Sequence, residues 1–344
     1  MAAGSCFCGA KYFDNAKHPE NKFKIKPSQL PKTVRLEACN DCQLNCVECG
    51  MRLNEKLIKE QGGGFGYLKF DDFKKFVDNH PFIEEIEISN NGEIFLNPEL
   101  DEIIKYAYEK NIGLTAYNGV NLNTVSEQTL ENLVKYKFKG LTVSIDGASP
   151  EIYKIYRRGG DFNKVISHIE LINRFKEKYQ SYYPNLVYQF IVFGHNEHEI
   201  DAAKALAAKL NMDMSFISNY AIEYSPVKNP KMVQEKTGIR FVNGSEFDTF
   251  KNNEWDNVYC MDIIRFPQIN FNGDLLGCCI NSYKNFNVNV FKKGLLGALN
   301  SENVLRAKLM LSDFSVKPFE NNPCSDCLFY HDFRAINRPI NWFS

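Results

Sequence analysis

The chain has 344 residues, with 41 Lys and Arg against 42 Asp and Glu, a formal net charge of -1. Its 44% hydrophobic and 24% charged residues are those of a folded globular protein of about two domains. Near-neutral charge argues against a nucleic-acid or anionic-membrane partner, no run of ~18 apolar residues can span a membrane, and the N-terminus lacks the apolar core of an export signal, so a cytoplasmic protein is expected.

Residues 1–32 read as an N-terminal extension in which Cys6 and Cys8 lie in an extended tail with no assigned role. From 33 to 218, β-like runs at 33–38, 83–89, 112–117, 141–145, 186–193 and 214–218 alternate with helical patterns. The helix faces repeat at three or four residues: Phe70, Phe73 and Val77, then Leu100, Ile103, Ile104 and Ala107, then Leu130, Leu133 and Val134. Val165, Ile169 and Ile172, and finally Ile200, Ala203, Leu206 and Leu210, continue the series. Pro98 opens the second helix, and Asn111 to Gly113 closes it. Six such units predict an α/β protein with a parallel sheet and right-handed crossovers, either an open doubly wound sheet or a partial barrel. The glycine run at 62–66 lacks the Gly-Lys-Ser/Thr of a phosphate loop and reads as a connector. Residues 221–259 lose the periodicity and read as a linker or insertion, and 260–344 as a smaller domain opening on a hairpin that turns at Asn272-Gly273.

Eleven cysteines fall in clusters, four near residue 45 and five beyond residue 259. An odd count in a reducing compartment disfavours a disulfide framework, and no histidine falls at Cys2His2 zinc spacing. Cys42, Cys46 and Cys49 stand as C-x3-C-x2-C directly after the first strand. Three thiolates on one tight loop can hold three irons of a [4Fe–4S] cube and leave the fourth without a protein ligand. The competing arrangement is a four-cysteine site that adds Cys39 and holds zinc or a saturated cluster.

Here the sequence resembles the radical S-adenosylmethionine (SAM) superfamily, whose defining motif is this C-x3-C-x2-C. The resemblance implies a partial (β/α)6 barrel over about 33–220, with SAM chelating the open iron. One electron then cleaves SAM to a 5′-deoxyadenosyl radical that abstracts hydrogen. Glu48 stands where the family usually has an aromatic residue. In such a fold, chemistry collects at the C-terminal strand ends, and matching residues recur there. Gly92 and Glu93 resemble the G-G-E-P motif, with Asn91 and Ile94 in place of its Gly and Pro, and Asn118-Gly119 resembles T-N-G. Ser144, Asp146 and Gly147, followed by Tyr153, Arg157 and Gly160, resemble the branch carrying auxiliary clusters, as does Asn196. By this resemblance Gly92, Glu93, Asn118, Ser144, Asp146 and Arg157 contact SAM, Arg157 being preferred over Arg158 because its fork suits a carboxylate. His195 and His198 are expected as loop or cap residues.

Cys260, Cys278, Cys324 and Cys327 form C-x17-C…C-x2-C, which resembles the shortened SPASM module called a twitch domain. The resemblance implies one auxiliary [4Fe–4S] cluster, saturated by four thiolates; a structural zinc is the alternative. Cys279, expected to point away from Cys278 by strand alternation, reads as a core thiol, a spare ligand or a hydrogen-atom donor. The expected chemistry is a two-electron oxidation of a sugar- or cyclitol-like small molecule. The radical takes hydrogen, a base removes a proton, and an electron passes to the auxiliary cluster. Peptide modification (thioether formation, crosslinking or epimerisation) is the alternative, lowered because 32 residues are too few for a leader-binding domain. A non-catalytic iron–sulfur or zinc scaffold is the second. A flavodoxin- or ferredoxin-type electron donor is implied as partner.

Overall fold

Alternating apolar side chains drive six strands into one parallel sheet: β1 (Thr33–Leu36), β2 (Glu85–Glu87), β3 (Gly113–Val120), β4 (Gly140–Ser144), β5 (Asn185–Val192) and β6 (Asp213–Ser218). The computed structural model describes residues 18–61, 63–219, 223–242, 258–279, 281 and 283–342. One set of strand residues, including Val34, Leu36, Ile86, Leu114, Leu141, Val143 and Phe190, is buried in the hydrophobic core beneath the helices. The alternate set is polar: Arg35, Glu87, Thr115, Ser144 and Gln189 face the other way, because successive strand side chains point to opposite faces. The five expected helices form as Phe70–Asn79, Leu100–Glu109, Glu127–Lys135, Phe162–Tyr179 and Ile200–Lys209. Asn111, in the left-handed region at φ 58°, ends the second of these.

The hairpin at Asn272-Gly273 forms as β7 (Gln268–Ile269) and β8 (Asp274–Leu276), with Gly273 at φ 88°. A third strand, β9 (Asn285–Asn289), completes it. Beyond the sequence-based reading, β7 pairs in parallel with β1, Arg35 opposite Gln268 and Leu36 opposite Ile269, so all nine strands share one sheet. Pairing between residues so far apart in sequence leaves no local signal. Within the 221–259 segment read as a linker or insertion, the described residues include a helix, Pro230–Thr237. Asn229 caps it, Gly238 ends it at φ 72°, and the fully buried Val233 anchors it. Cys6, Cys8 and residues 243–257 lie outside the described residues.

Candidate active site

Backbone groups of neighbouring loops shape the three-cysteine loop after β1. Glu93 donates its N–H to the Asp41 carbonyl at 2.8 Å, Asn45 to that of Arg158 at 2.9 Å, and Val47 to that of Tyr156 at 3.3 Å. From the other side Arg52 donates to the carbonyls of Leu44, at 3.3 Å through Nε, and of Cys42. Asn97, buried, donates to the carbonyls of Ala38 and Leu68, both at 2.9 Å. The result brings Cys42, Cys46 and Cys49 to one cavity of about 170 Å³. Cys39 does not line it; 3% exposed, its thiol is directed at the Asp41 carbonyl at 3.8 Å. Burial pushes the Cys42 and Cys39 thiols up to about 12 and the Cys46 thiol upward, the last against the pull of Arg157.

The facing wall is built by the ends of β2, β3 and β4. Gly92 packs so tightly on the loop that a Cβ there would lie 2.1 Å from the Cys39 carbonyl oxygen. Glu93 lines the cavity although 1% exposed; its carboxylate accepts from the N–H of Asn121 at 2.6 Å and of Phe95 at 3.3 Å. Burial pushes that carboxyl up to about 7. Ser144 and Asn118 also line the cavity; Gln189 donates to Ser144 Oγ at 3.1 Å.

Arg157 reaches the cavity, but Asp146 does not line it. The Asp146 carboxylate accepts Arg157 Nε at 2.6 Å and the Ile191 N–H at 2.7 Å, so its visible task is to orient the guanidinium. Asn196 fastens the same strand ends, donating to the carbonyls of Asp146 at 3.0 Å and Ile191 at 2.8 Å. His195 stacks on Phe193 and hydrogen-bonds Ser225 at 2.8 Å, a packed loop residue as expected.

Two participants escape the sequence reading. Asn121 donates to Cys42 Sγ at 3.6 Å; it lies three residues past Asn118, just beyond a strand that runs to Val120 rather than the expected 117. Glu37, fully buried, accepts the Asn91 N–H at 2.9 Å while its second oxygen is buried without a partner, and burial pushes it up to about 8. The available signal was a glutamate directly after β1, two residues before Cys39.

The C-terminal cysteines come from three places: Cys260 from the helix Val258–Arg265, Cys278 from the segment after β8, and Cys324 and Cys327 from the turn before the helix Leu328–Ala335. Cys260, Cys324 and Cys327 each feel the charge of Cys278, and burial pushes those three thiols upward. That is a donor set fit for a four-thiolate cluster. Among the described residues no three His, Cys, Asp or Glu side chains converge as a single-ion site would require. Cys279 departs from the alternation expected of it. It lies beyond β8, hydrogen-bonds the Cys278 thiol, which lowers its own pKa, and sits 3.9 Å from Asp262 Oδ2.

Comparison with known proteins agrees with this geometry. The radical SAM superfamily domain matches residues 36–207, half of the chain. The AdoMet-dependent heme synthase of Methanosarcina barkeri is 28% identical over 44% of this chain and 41% of its own. The GTP 3′,8-cyclase of Clostridium botulinum is 26% identical over 54% of this chain and 55% of its own. The chain thus spans about half the length of the curated relatives it matches. The crystal structure of Streptococcus suis SuiB bound to precursor peptide SuiA shares the fold, with TM-score 0.59 and 15% identity over 84% of this chain and 68% of that one. No helix among the described residues is long and apolar enough to cross a membrane.

Proposed function

The chain belongs to the radical SAM superfamily, and from that premise we propose that it carries out a two-electron oxidation of a sugar- or cyclitol-like small molecule. When bound, the barrel cluster with SAM supplies a 5′-deoxyadenosyl radical for hydrogen abstraction, and the auxiliary cluster supplies an electron sink. Cys42, Cys46 and Cys49 hold the first cluster, and Cys260, Cys278, Cys324 and Cys327 the second.

The chain's own residues do the binding. Glu93 presents a buried carboxylate that accepts an N–H of the SAM amino group, and Gly92 lets the backbone approach the cluster loop. Asn118 and Ser144 offer polar groups from the next two strand ends. Arg157, held by Asp146, turns its remaining N–H groups to the SAM carboxylate, since a guanidinium fork matches a carboxylate. The cavity shared by three thiols, Glu93, Ser144 and Arg157 carries this reading. Likeness to a heme synthase and a GTP cyclase supports a small-molecule substrate, and likeness to the subtilosin biosynthesis protein AlbA of Bacillus subtilis supports peptide modification as the second reading.

Anaerobic reconstitution, then dithionite and SAM, tests it. Expected are two cubane clusters per chain by iron and sulfide content, and 5′-deoxyadenosine. One cluster per chain would remove the oxidation scheme, and no 5′-deoxyadenosine would favour a non-catalytic scaffold. A modified peptide as product would replace the substrate class.

A further inference from the structure

The three cavity thiols are not equivalent. Arg157 Nη1 approaches Cys46 Sγ at 3.7 Å. Cys42 Sγ accepts the N–H of Leu44 at 3.4 Å and Nδ2 of Asn121 at 3.6 Å. Among the described residues no side-chain or backbone N–H is directed at Cys49 Sγ. Among the described residues, only Cys46 therefore has a cationic donor.

That donor is fixed in place. Asp146, fully buried and at φ 53°, accepts Arg157 Nε at 2.6 Å and pairs with Nη2 at 2.5 Å. The Ile191 N–H holds the other carboxylate oxygen at 2.7 Å. Two contacts to one carboxylate set the plane of the guanidinium, and the third nitrogen is left pointing at sulfur. With its side chain 12% exposed, the pair is shielded from the water that would otherwise screen it.

We propose that Arg157, oriented by Asp146, raises the reduction potential of the cluster held by Cys42, Cys46 and Cys49 by donating a charged N–H to the Cys46 sulfur. The physical basis is that reduction adds negative charge, which is spread onto the ligand sulfurs. A hydrogen bond to a sulfur, and a positive charge beside it, stabilise the reduced form more than the oxidised one. A hydrogen bond from a charged donor is roughly twice as strong as one from a neutral amide. Arg157 is thus a positioning and tuning residue that acts through Cys46. Contact with SAM is a separate task, because the guanidinium has five N–H donors and only three nitrogen contacts are spoken for here.

The inference rests on the proposed cluster site, and a SAM-free measurement separates the two. Each protein is reconstituted anaerobically and its barrel cluster titrated by electron paramagnetic resonance in the absence of SAM, in a background where Cys260, Cys278, Cys324 and Cys327 are replaced by Ala. If that background loses its remaining cluster, the same titration is done on the otherwise unchanged chain, with the two signals fitted separately.

Arg157→Gln is expected to move the midpoint to a more negative potential, and Arg157→Lys to move it less. Because Arg157→Gln strands a buried carboxylate, the double variant Asp146→Asn with Arg157→Gln, a neutral pair, is expected to keep the fold and show a smaller downward shift, since the lost Asp146 charge, which lies behind the cavity wall, acts in the opposite sense. An unchanged midpoint in the double variant and in Arg157→Lys, with the cluster present, overturns the inference even if SAM binding weakens. Failure of the unmutated cysteine loop to assemble any cluster overturns instead the function proposed above.

Discussion

Gly92 and Cys39 approach so closely that the space between them holds no methyl group: a Cβ on Gly92 would fall 2.1 Å from the Cys39 carbonyl oxygen and 2.7 Å from the Asn40 backbone. Both obstacles are backbone, so neither can swing aside. The Gly92→Ala substitution is expected to cost about 1–3 kcal/mol as an overpacking change, and to displace the three-thiol loop. Its cluster should assemble at reduced iron content, with little 5′-deoxyadenosine. Normal iron content and turnover would show that the close approach is not required.

Glu93 carries an expected pH dependence. Burial raises its carboxyl to about 7, so below neutrality it is protonated and loses the negative charge that makes it a strong acceptor for the SAM amino N–H. SAM affinity should therefore strengthen as pH rises from about 6 to about 8. Glu93→Gln should weaken binding roughly tenfold or more, about 1.4 kcal/mol, and flatten the profile. Isothermal titration of the cluster-loaded protein at several pH values checks both; a flat profile in the unmutated protein would remove Glu93 from this role.

The cysteines divide into expected classes. Replacing Cys42, Cys46 or Cys49 by Ala should remove about half of the iron and all 5′-deoxyadenosine, whereas replacing Cys260, Cys278, Cys324 or Cys327 should remove about half of the iron and leave SAM cleavage measurable. Cys39→Ala and Cys279→Ala should keep both clusters. Lost product with intact clusters in Cys279→Ala would mark that thiol as a hydrogen-atom donor; undiminished product would exclude it.

His80 couples the barrel to the C-terminal module. Its Nδ1 is 2.7 Å from the Phe76 carbonyl and Nε2 accepts the Leu295 N–H at 3.0 Å, which requires the neutral ring. Burial lowers its pKa from the ordinary 6.5. The unfolded chain then takes up a proton that the folded chain refuses, so this stability is present above about pH 6.5 and lost as pH falls. Urea unfolding of the unmutated protein should show a midpoint falling below about pH 6.5, with a shallower decline in His80→Gln. Parallel declines would assign the acid sensitivity elsewhere.

What local pattern encodes was readable in the sequence, and what distant contacts create was not. Five helices and six strands followed from apolar spacing, and the Asn272-Gly273 turn from the positive φ that glycine supplies there. Motif spacing grouped Cys42, Cys46 and Cys49, and the family resemblance pointed to Gly92, Glu93, Asn118, Ser144 and Arg157; the structure lines one cavity with all eight. The β1–β7 pairing joins residues more than two hundred positions apart, with no composition cue. The helix Pro230–Thr237 was hidden because only Val233 of its residues is fully buried, too few to make a repeating stripe. Asp146 was placed against SAM by resemblance, and only its pairing with Arg157 and the Ile191 N–H shows it behind the cavity wall. Asn121 was passed over because its role depends on how far β3 extends, a boundary that propensity does not set.

The most direct measurement is electron–nuclear double resonance of the reduced, reconstituted protein with SAM labelled with nitrogen-15 at its amino group. A hyperfine coupling between the cluster and that nitrogen is expected, abolished by Cys46→Ala and retained in Cys39→Ala. No coupling in a protein whose reduced cluster is present, or a coupling that appears only once Cys39 is removed, would contradict a cube held by Cys42, Cys46 and Cys49 with one iron free for SAM.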